Sequence, residues 1–326
     1  MKFEHENSAD VMDKIRRHRT AILPVGAVEA HGPHLPLGTD NLLAERLADK
    51  LAARTGGFVL PTLPYGQVWS LRHFPGSINV SNEALIQLLA DIGESLHNQG
   101  FRILAMVNGH LGNAVALKEA ARVLYERVPD LKVFYFFYPG TKEVTAEVRE
   151  TPAAHGTYMH ADEIETSYML YLAEEHVDMD RAIDGKPHIP DDADCTPTPW
   201  EEMTSSAVLG DATRASRAKG EKIIERSLDA MADMVLQDNV SQNFLMGISR
   251  AEAPRMLNVH RRLIAELESR GLDRELEALP TDAEIKRRME EGTALTSPEL
   301  ANLLAHVKLT LKSELLATDL PDSASF

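Results

Sequence analysis

The stretch VGAVEAHGPHLPLGTD, residues 25–40, holds two carboxylates, Glu29 and Asp40, and two imidazoles, His31 and His34. Its three glycines and two prolines exclude a continuous helix or strand. Carboxylate and imidazole together form the donor set of zinc, manganese or iron. A second loop-like motif, NGHLGN at 108–113, adds His110. A third, HADEIETS at 160–167, adds His160 and Glu165, one able to complete a metal shell while the other moves protons. A carboxylate such as Asp40 can bridge two ions, and an ion pair acidifies a shared water and clamps a developing oxyanion. A histidine left free beside such a centre suits proton transfer, because it titrates near neutrality.

The elements around these motifs must bring them together. TAILPVG (20–26) reads as a short buried strand, and FRILAMVNGH (101–110) as an apolar strand ending in polar loop residues. Ligands of open α/β sheets bind beyond the carboxyl ends of the strands, so both motifs reach one sheet edge. Glu29 and His31, two residues apart, can point the same way in extended chain. Helices are predicted over 39–57, with a stripe of Leu43, Leu47 and Leu51, and from Ser81 or Asn82 to a stop at Gly100. Further helices are predicted over 113–128 and 160–176. Residues 58–66 start as a strand and turn at prolines; 76–81 and 131–139 read as strands, the latter buried. This alternation predicts a mainly parallel sheet covered on both faces, a three-layer α/β/α arrangement.

The Pro- and Asp-rich stretch 185–202 is predicted to be an irregular surface loop. From about 221 onward only helical patterns follow, ending in the polar tail DLPDSASF. The organisation expected is one domain over 1–240 and a helical C-terminal extension over 241–326.

Composition narrows the function classes. The formal charge of −16 opposes nucleic acid and anionic membranes as partners, and no basic cluster offsets it. No long uncharged apolar run offers a membrane span, and the polar N-terminus lacks a signal peptide's apolar core. Cys195 is the sole cysteine, so no intrachain disulfide forms and a cytoplasmic setting is expected. Phosphate-binding and dinucleotide-binding glycine motifs are absent, as is a G-x-S-x-G elbow. Most of the thirteen histidines, among them His5, His18, His97, His176, His188, His260 and His306, are read as surface or satisfied residues.

The segment PVGAVEAHGPHLPLGTD closely resembles the signature of the creatininase (creatinine amidohydrolase) family. The resemblance continues, in the family's order, through RHFPGSINVS, MVNGHLGN, HADEIETS and SSAVLGDATRASRAKGE, covering roughly residues 20–235. It implies a three-layer α/β fold, two divalent ions per chain, a small-molecule substrate and a homo-oligomer, commonly a hexamer. Carried onto this chain, Glu29, His31, Asp40, His110 and Glu165 match metal ligands, Asp40 bridging, and His160 matches a proton shuttle. The activity implied is hydrolysis of a small cyclic amide or formamide-type C–N bond by a metal-bridging hydroxide. Ring opening of an oxidised inositol is the alternative within the family, and a catalytically inactive scaffold the alternative outside it. Creatininase carries a glutamate where this chain has Gly112, and tryptophans in the segment before HADEIETS where this chain has none. Those departures point away from creatinine as the substrate.

Overall fold

A computed structural model describes residues 1–245. Four strands form one parallel sheet: β1 (Thr20–Val25), β2 (Phe58–Val59), β3 (Ile103–Asn108) and β4 (Lys132–Phe136), in the order β2-β1-β3-β4. The register of β1 against β3 runs from Thr20↔Ile103 to Val25↔Asn108, so the two strands end level. The chain therefore leaves both at one edge, and the loops after them start side by side.

Among the described residues, seven α-helices accompany the sheet: α1 (Val11–Arg17), α2 (Thr39–Thr55), α3 (Asn82–Asn98), α4 (Ala114–Arg127), α5 (Lys142–Val148), α6 (Glu163–Leu172) and α7 (Arg217–Leu245). Alternating strand residues Ala21, Leu23, Val25, Leu104 and Met106 pack with Leu85, Leu89 and Leu96 of α3 and Leu117 and Leu124 of α4. On the other face, α2 packs against β1, β3 and α6, burying Leu43, Leu47 and Leu51. Each fully buried leucine contributes on the order of 2 kcal/mol through apolar burial. Helix α2 stops at Gly56, whose φ of 72° favours glycine. Helix α3 is capped by Ser81, whose hydroxyl accepts from the Ala84 amide.

The three-layer α/β expectation holds, with local corrections. Residues 76–81 form no strand. Their groups brace the loops instead: the Ile78 amide donates to Val28 O, the Val80 amide to Gly66 O, and Ser77 Oγ accepts from Ala30 N. Strand β4 lies at a sheet edge, so it is half-exposed rather than buried, with Tyr135 turned to solvent. Helix α6 begins only at Glu163, because the Asp162 side chain caps it. Helix α7 starts at 217, before the predicted 221. The stretch 185–202 is irregular, yet Ala193 and Trp200 within it are buried. The helical patterns expected beyond 245 and the polar tail lie outside the described residues. The chain divides into two units, Met1–Asp233 and Met234–Phe326. No helix among the described residues is long and apolar enough to cross a membrane.

Candidate metal centre

Glu29 and His31 lie in the loop after β1, Asp40 in the first turn of α2, His110 just after β3, and His160 and Glu165 around the start of α6. All six are buried. Their donor atoms form three triads among the described residues: Glu29–Asp40–His110 and His31–Asp40–Glu165, which share Asp40, and Glu29–His31–His160. Asp40 faces a different imidazole with each oxygen: Oδ1 lies 3.2 Å from His31 Nε2 and Oδ2 lies 3.1 Å from His110 Nδ1. Glu29 Oε1 stands 3.1 Å from His110 Nδ1, and Glu165 Oε2 stands 3.8 Å from His31 Nε2.

Backbone carbonyls set the tautomer of each neutral imidazole. A carbonyl oxygen only accepts, so the ring nitrogen beside it carries the proton. His31 Nδ1 donates to Glu29 O (3.1 Å), His110 Nε2 to Gln67 O (2.7 Å) and His160 Nε2 to Ala30 O (2.8 Å). The remaining nitrogens, His31 Nε2, His110 Nδ1 and His160 Nδ1, all turn toward the carboxylates. Orienting a ligand imidazole through its second nitrogen is a usual device of metal sites. His31 Nε2 and Asp40 Oδ2 are buried without a hydrogen-bond partner, which fits donors aimed at cations.

The electrostatics carry the same imprint. Three carboxylates buried together are costly unless compensated. Burial opposes a charge on His31, yet the Asp40, Glu165 and Glu29 carboxylates push its pKa up to about 10. His110 is likewise driven well above its ordinary value against its burial, by Glu29 and Asp40. His160 behaves oppositely: burial and then the charge on His31 hold it down at about 4. Burial raises Glu165 above the usual carboxylate range.

The NGHLGN loop is fixed by its own asparagines. Asn108 brackets His110, accepting from its amide at 3.1 Å and donating to its carbonyl at 2.6 Å. Asn113, fully buried, donates to Gly26 O (3.0 Å) and accepts from Gln67 N (2.9 Å), tying three loops together. Gly109 passes so close to α2 that a Cβ there would meet Asp40 O at 2.2 Å. Gly109→Ala is therefore expected to destabilise the protein by about 3 kcal/mol, as overpacked sites do. Urea unfolding checks this, and an unchanged midpoint would show that the backbone yields.

At the third loop, Ala161 adopts φ 49°, a costly conformation for a residue with a side chain, and its amide donates to Glu165 Oε2 at 2.5 Å. Glu163 accepts from the Glu150 and Thr151 amides and from Lys219 Nζ (2.7 Å). Burial acts to raise its pKa, but Lys219, Thr151 and these amides bring it to about 2. His34 sits outside all three triads and hydrogen-bonds Thr166 Oγ1 at 2.9 Å.

A cavity of about 280 Å³ opens onto Glu29, Asp40, His110, His160 and Glu165. Trp69 and Trp200 line it, although neither belongs to the segment before HADEIETS. The Trp200 ring meets His160 edge-on at 5.4 Å. Sequence spacing held no signal for Trp200 or Gln67 at this site, since each arrives from a remote loop, whereas Tyr158 stands two residues before His160.

Residues 4–235 match the family model described as creatinine amidohydrolase. The chain belongs to the creatininase family. The creatinine amidohydrolase of Pseudomonas putida is 31% identical over 230 residues, 67% of this chain and 88% of that protein. The 3-dehydro-scyllo-inosose hydrolase of Thermotoga maritima is 27% identical over 256 residues, 72% of this chain and 82% of that one. A creatininase crystal structure matches with a TM-score of 0.67 and 29% identity, over 72% of this chain and 96% of its own. Creatininase has also been solved in a Zn-Zn form and a Mn form. A second family model, glutamate dehydrogenase, C-terminal, matches residues 292–326. The NAD-specific glutamate dehydrogenase of Mycobacterium tuberculosis is 55% identical over 109 residues, 32% of this chain. The chain spans only 6% of that dehydrogenase's length. This protein is thus a creatininase-family hydrolase with buried His, Asp and Glu clusters suited to metal.

Proposed function

We propose that this creatininase-family protein is a dinuclear metal-dependent hydrolase that cleaves a small cyclic amide or formamide-type C–N bond. The observation that carries the reading is the convergence of three imidazoles, each held by a backbone carbonyl, on carboxylates that share Asp40. Glu29, Asp40 and His110 would hold one ion, and His31, Asp40 and Glu165 the other. Two divalent ions there, zinc, manganese or iron, would supply Lewis acidity for activating water and polarising a carbonyl. Among the chain's own groups, Asp40 spans the two positions and Glu29 presents its carboxylate to His110 and His160. His160, neutral and tethered through Nε2, keeps Nδ1 free to accept a proton and return it to the leaving nitrogen. Trp200 packs on that ring and limits its contact with water.

The test is to strip the protein with chelator, reload it with zinc or manganese, and measure bound metal beside turnover of cyclic amides. About two ions per chain and metal-dependent turnover are expected, as for other two-metal hydrolases. A chain that takes up no metal would defeat the proposal. The similarity to the inosose hydrolase of T. maritima favours a second reading, ring opening of an oxidised inositol. Metal-dependent turnover of such a ketone in place of any amide would select it.

We also propose that the hydrolase domain occupies 1–240 and that 241–326 form a separate helical extension. In support, the creatininase model ends at 235 and the second family model begins at 292. Because α7 runs to Leu245, a fragment cut after that residue is expected to melt cooperatively and take up as much zinc as the full chain. Calorimetry and elemental analysis check this; a fragment that fails to fold would refute the boundary.

A further inference from the structure

We infer that Gln67 is a specificity-determining residue and that the cavity takes an uncharged, ring-sized compound carrying an amide N–H and C=O. The inference rests on the hydrolase reading and adds the substrate's charge and shape. Gly112 has no room for a side chain: a Cβ there would lie 2.3 Å from Gln67 O, 2.4 Å from His110 Nε2 and 3.0 Å from Gln67 Oε1. The Gln67 backbone carbonyl and the His110 ring close that space first, and the Gln67 carboxamide oxygen lies beside them. Both backbone groups of Gln67 are committed, its amide to Asn113 Oδ1 (2.9 Å) and its carbonyl to His110 Nε2 (2.7 Å). The side chain is therefore rooted at the metal centre and faces the cavity. No hydrogen bond joins its carboxamide to another described residue.

A carboxamide offers donors and an acceptor but no charge. Its natural complement is a group that does the same, a lactam or ureide edge. The walls agree with a flat ring. Trp69, Trp200, Phe137 and Tyr158 supply aromatic surface, and the volume of about 280 Å³ suits a single ring. No lysine or arginine lines the cavity among the described residues. The nearby guanidinium of Arg72 is stacked 4.2 Å over the Trp69 ring and bonded to Trp69 O, while His73 is paired with Glu201. Among the described residues, no lysine or arginine is therefore placed to receive a phosphate or carboxylate in the cavity. The metal positions remain for the reacting carbonyl, and the charge of −16 opposes anions further.

The experiment uses the full chain loaded with zinc and three probes: hydantoin, dihydrouracil, and dihydroorotate, which adds a carboxylate to the dihydrouracil ring. Calorimetric binding and turnover are measured for the wild type, Gln67→Met and Gln67→Glu, with zinc content determined for each. The wild type is expected to bind the two neutral rings and to bind dihydroorotate at least tenfold more weakly. Gln67→Met, similar in size but unable to donate, is expected to weaken the neutral rings at least tenfold with zinc content unchanged, since a site built to hydrogen-bond its substrate discriminates strongly. Gln67→Glu is expected to weaken dihydroorotate further, and it keeps the test open should Gln67→Met fold poorly. Equal or tighter binding of dihydroorotate, neutral rings indifferent to both variants, or a zinc-loaded protein that binds neither neutral ring would each overturn the inference. Failure to take up zinc is a different result: it refutes the hydrolase reading, and the inference falls with it.

Discussion

Asp40→Ala is expected to empty both metal positions at once. Its two oxygens face different imidazoles, at 3.2 Å from His31 and 3.1 Å from His110, and it joins the Glu29–His110 and His31–Glu165 pairs proposed to hold the two ions. Losing one peripheral ligand leaves a site with reduced affinity, whereas losing the shared one removes a donor from each ion and the bridge between them. Bound metal should drop from about two ions per chain to near none, and turnover by a factor on the order of 10⁴ or more. Thermal stability supplies a readout independent of any substrate. Metal that binds only the folded state stabilises it by about 2.7 kcal/mol at a hundredfold excess over Kd. Zinc should therefore raise the melting temperature of the wild type and leave that of Asp40→Ala unmoved. A variant that keeps two ions would show that Asp40 is no ligand.

His160→Ala separates a proton shuttle from a ligand. The ring is anchored by Nε2 to Ala30 O at 2.8 Å, and its Nδ1 lies 3.6 Å from Glu29 and 3.9 Å from Glu165. Its donor atom also falls within ligand reach of Glu29 and His31. As a shuttle, it should cost about 10²–10⁴ in kcat when removed, the usual range for a general acid or base, while metal content stays that of the wild type. KM should change much less than kcat, because the Nδ1 proton matters only as bonds rearrange. Loss of an ion from His160→Ala would instead assign the residue to a metal shell. His160→Asn, which leaves a smaller void beside Trp200, controls for collapse of the cavity wall.

The paired loops show how much of this centre can be read in one dimension. Periodicity located β1, β3, α2 and α4 to within two residues, since apolar stripes and glycine stops act over a few residues. The candidate donors stood out too, as imidazoles and carboxylates crowded between glycines and prolines, and the structure buries them together. The segment 76–81 misled for an equally physical reason. Its composition suits extended chain, but whether extended chain joins a sheet depends on a neighbouring strand with free groups, and Val28, Gly66 and Ala30 occupy it first. The helix predicted from 160 began at 163 because Asp162 turns its side chain onto the amides of Ile164 and Glu165.

By itself, then, the amino-acid sequence determined the parallel α/β framework and the edge of the sheet where the candidate donors gather, both of which follow from short-range patterns. Only the tertiary structure decided which nitrogen of each histidine points inward, because Glu29 O, Ala30 O and Gln67 O become acceptors only when the loops meet. It also decided what stands around the donors. Gln67 and Trp200 lie 43 and 40 residues in sequence from His110 and His160. No periodicity spans such gaps; the level ends of β1 and β3 and the packing of remote loops onto them do.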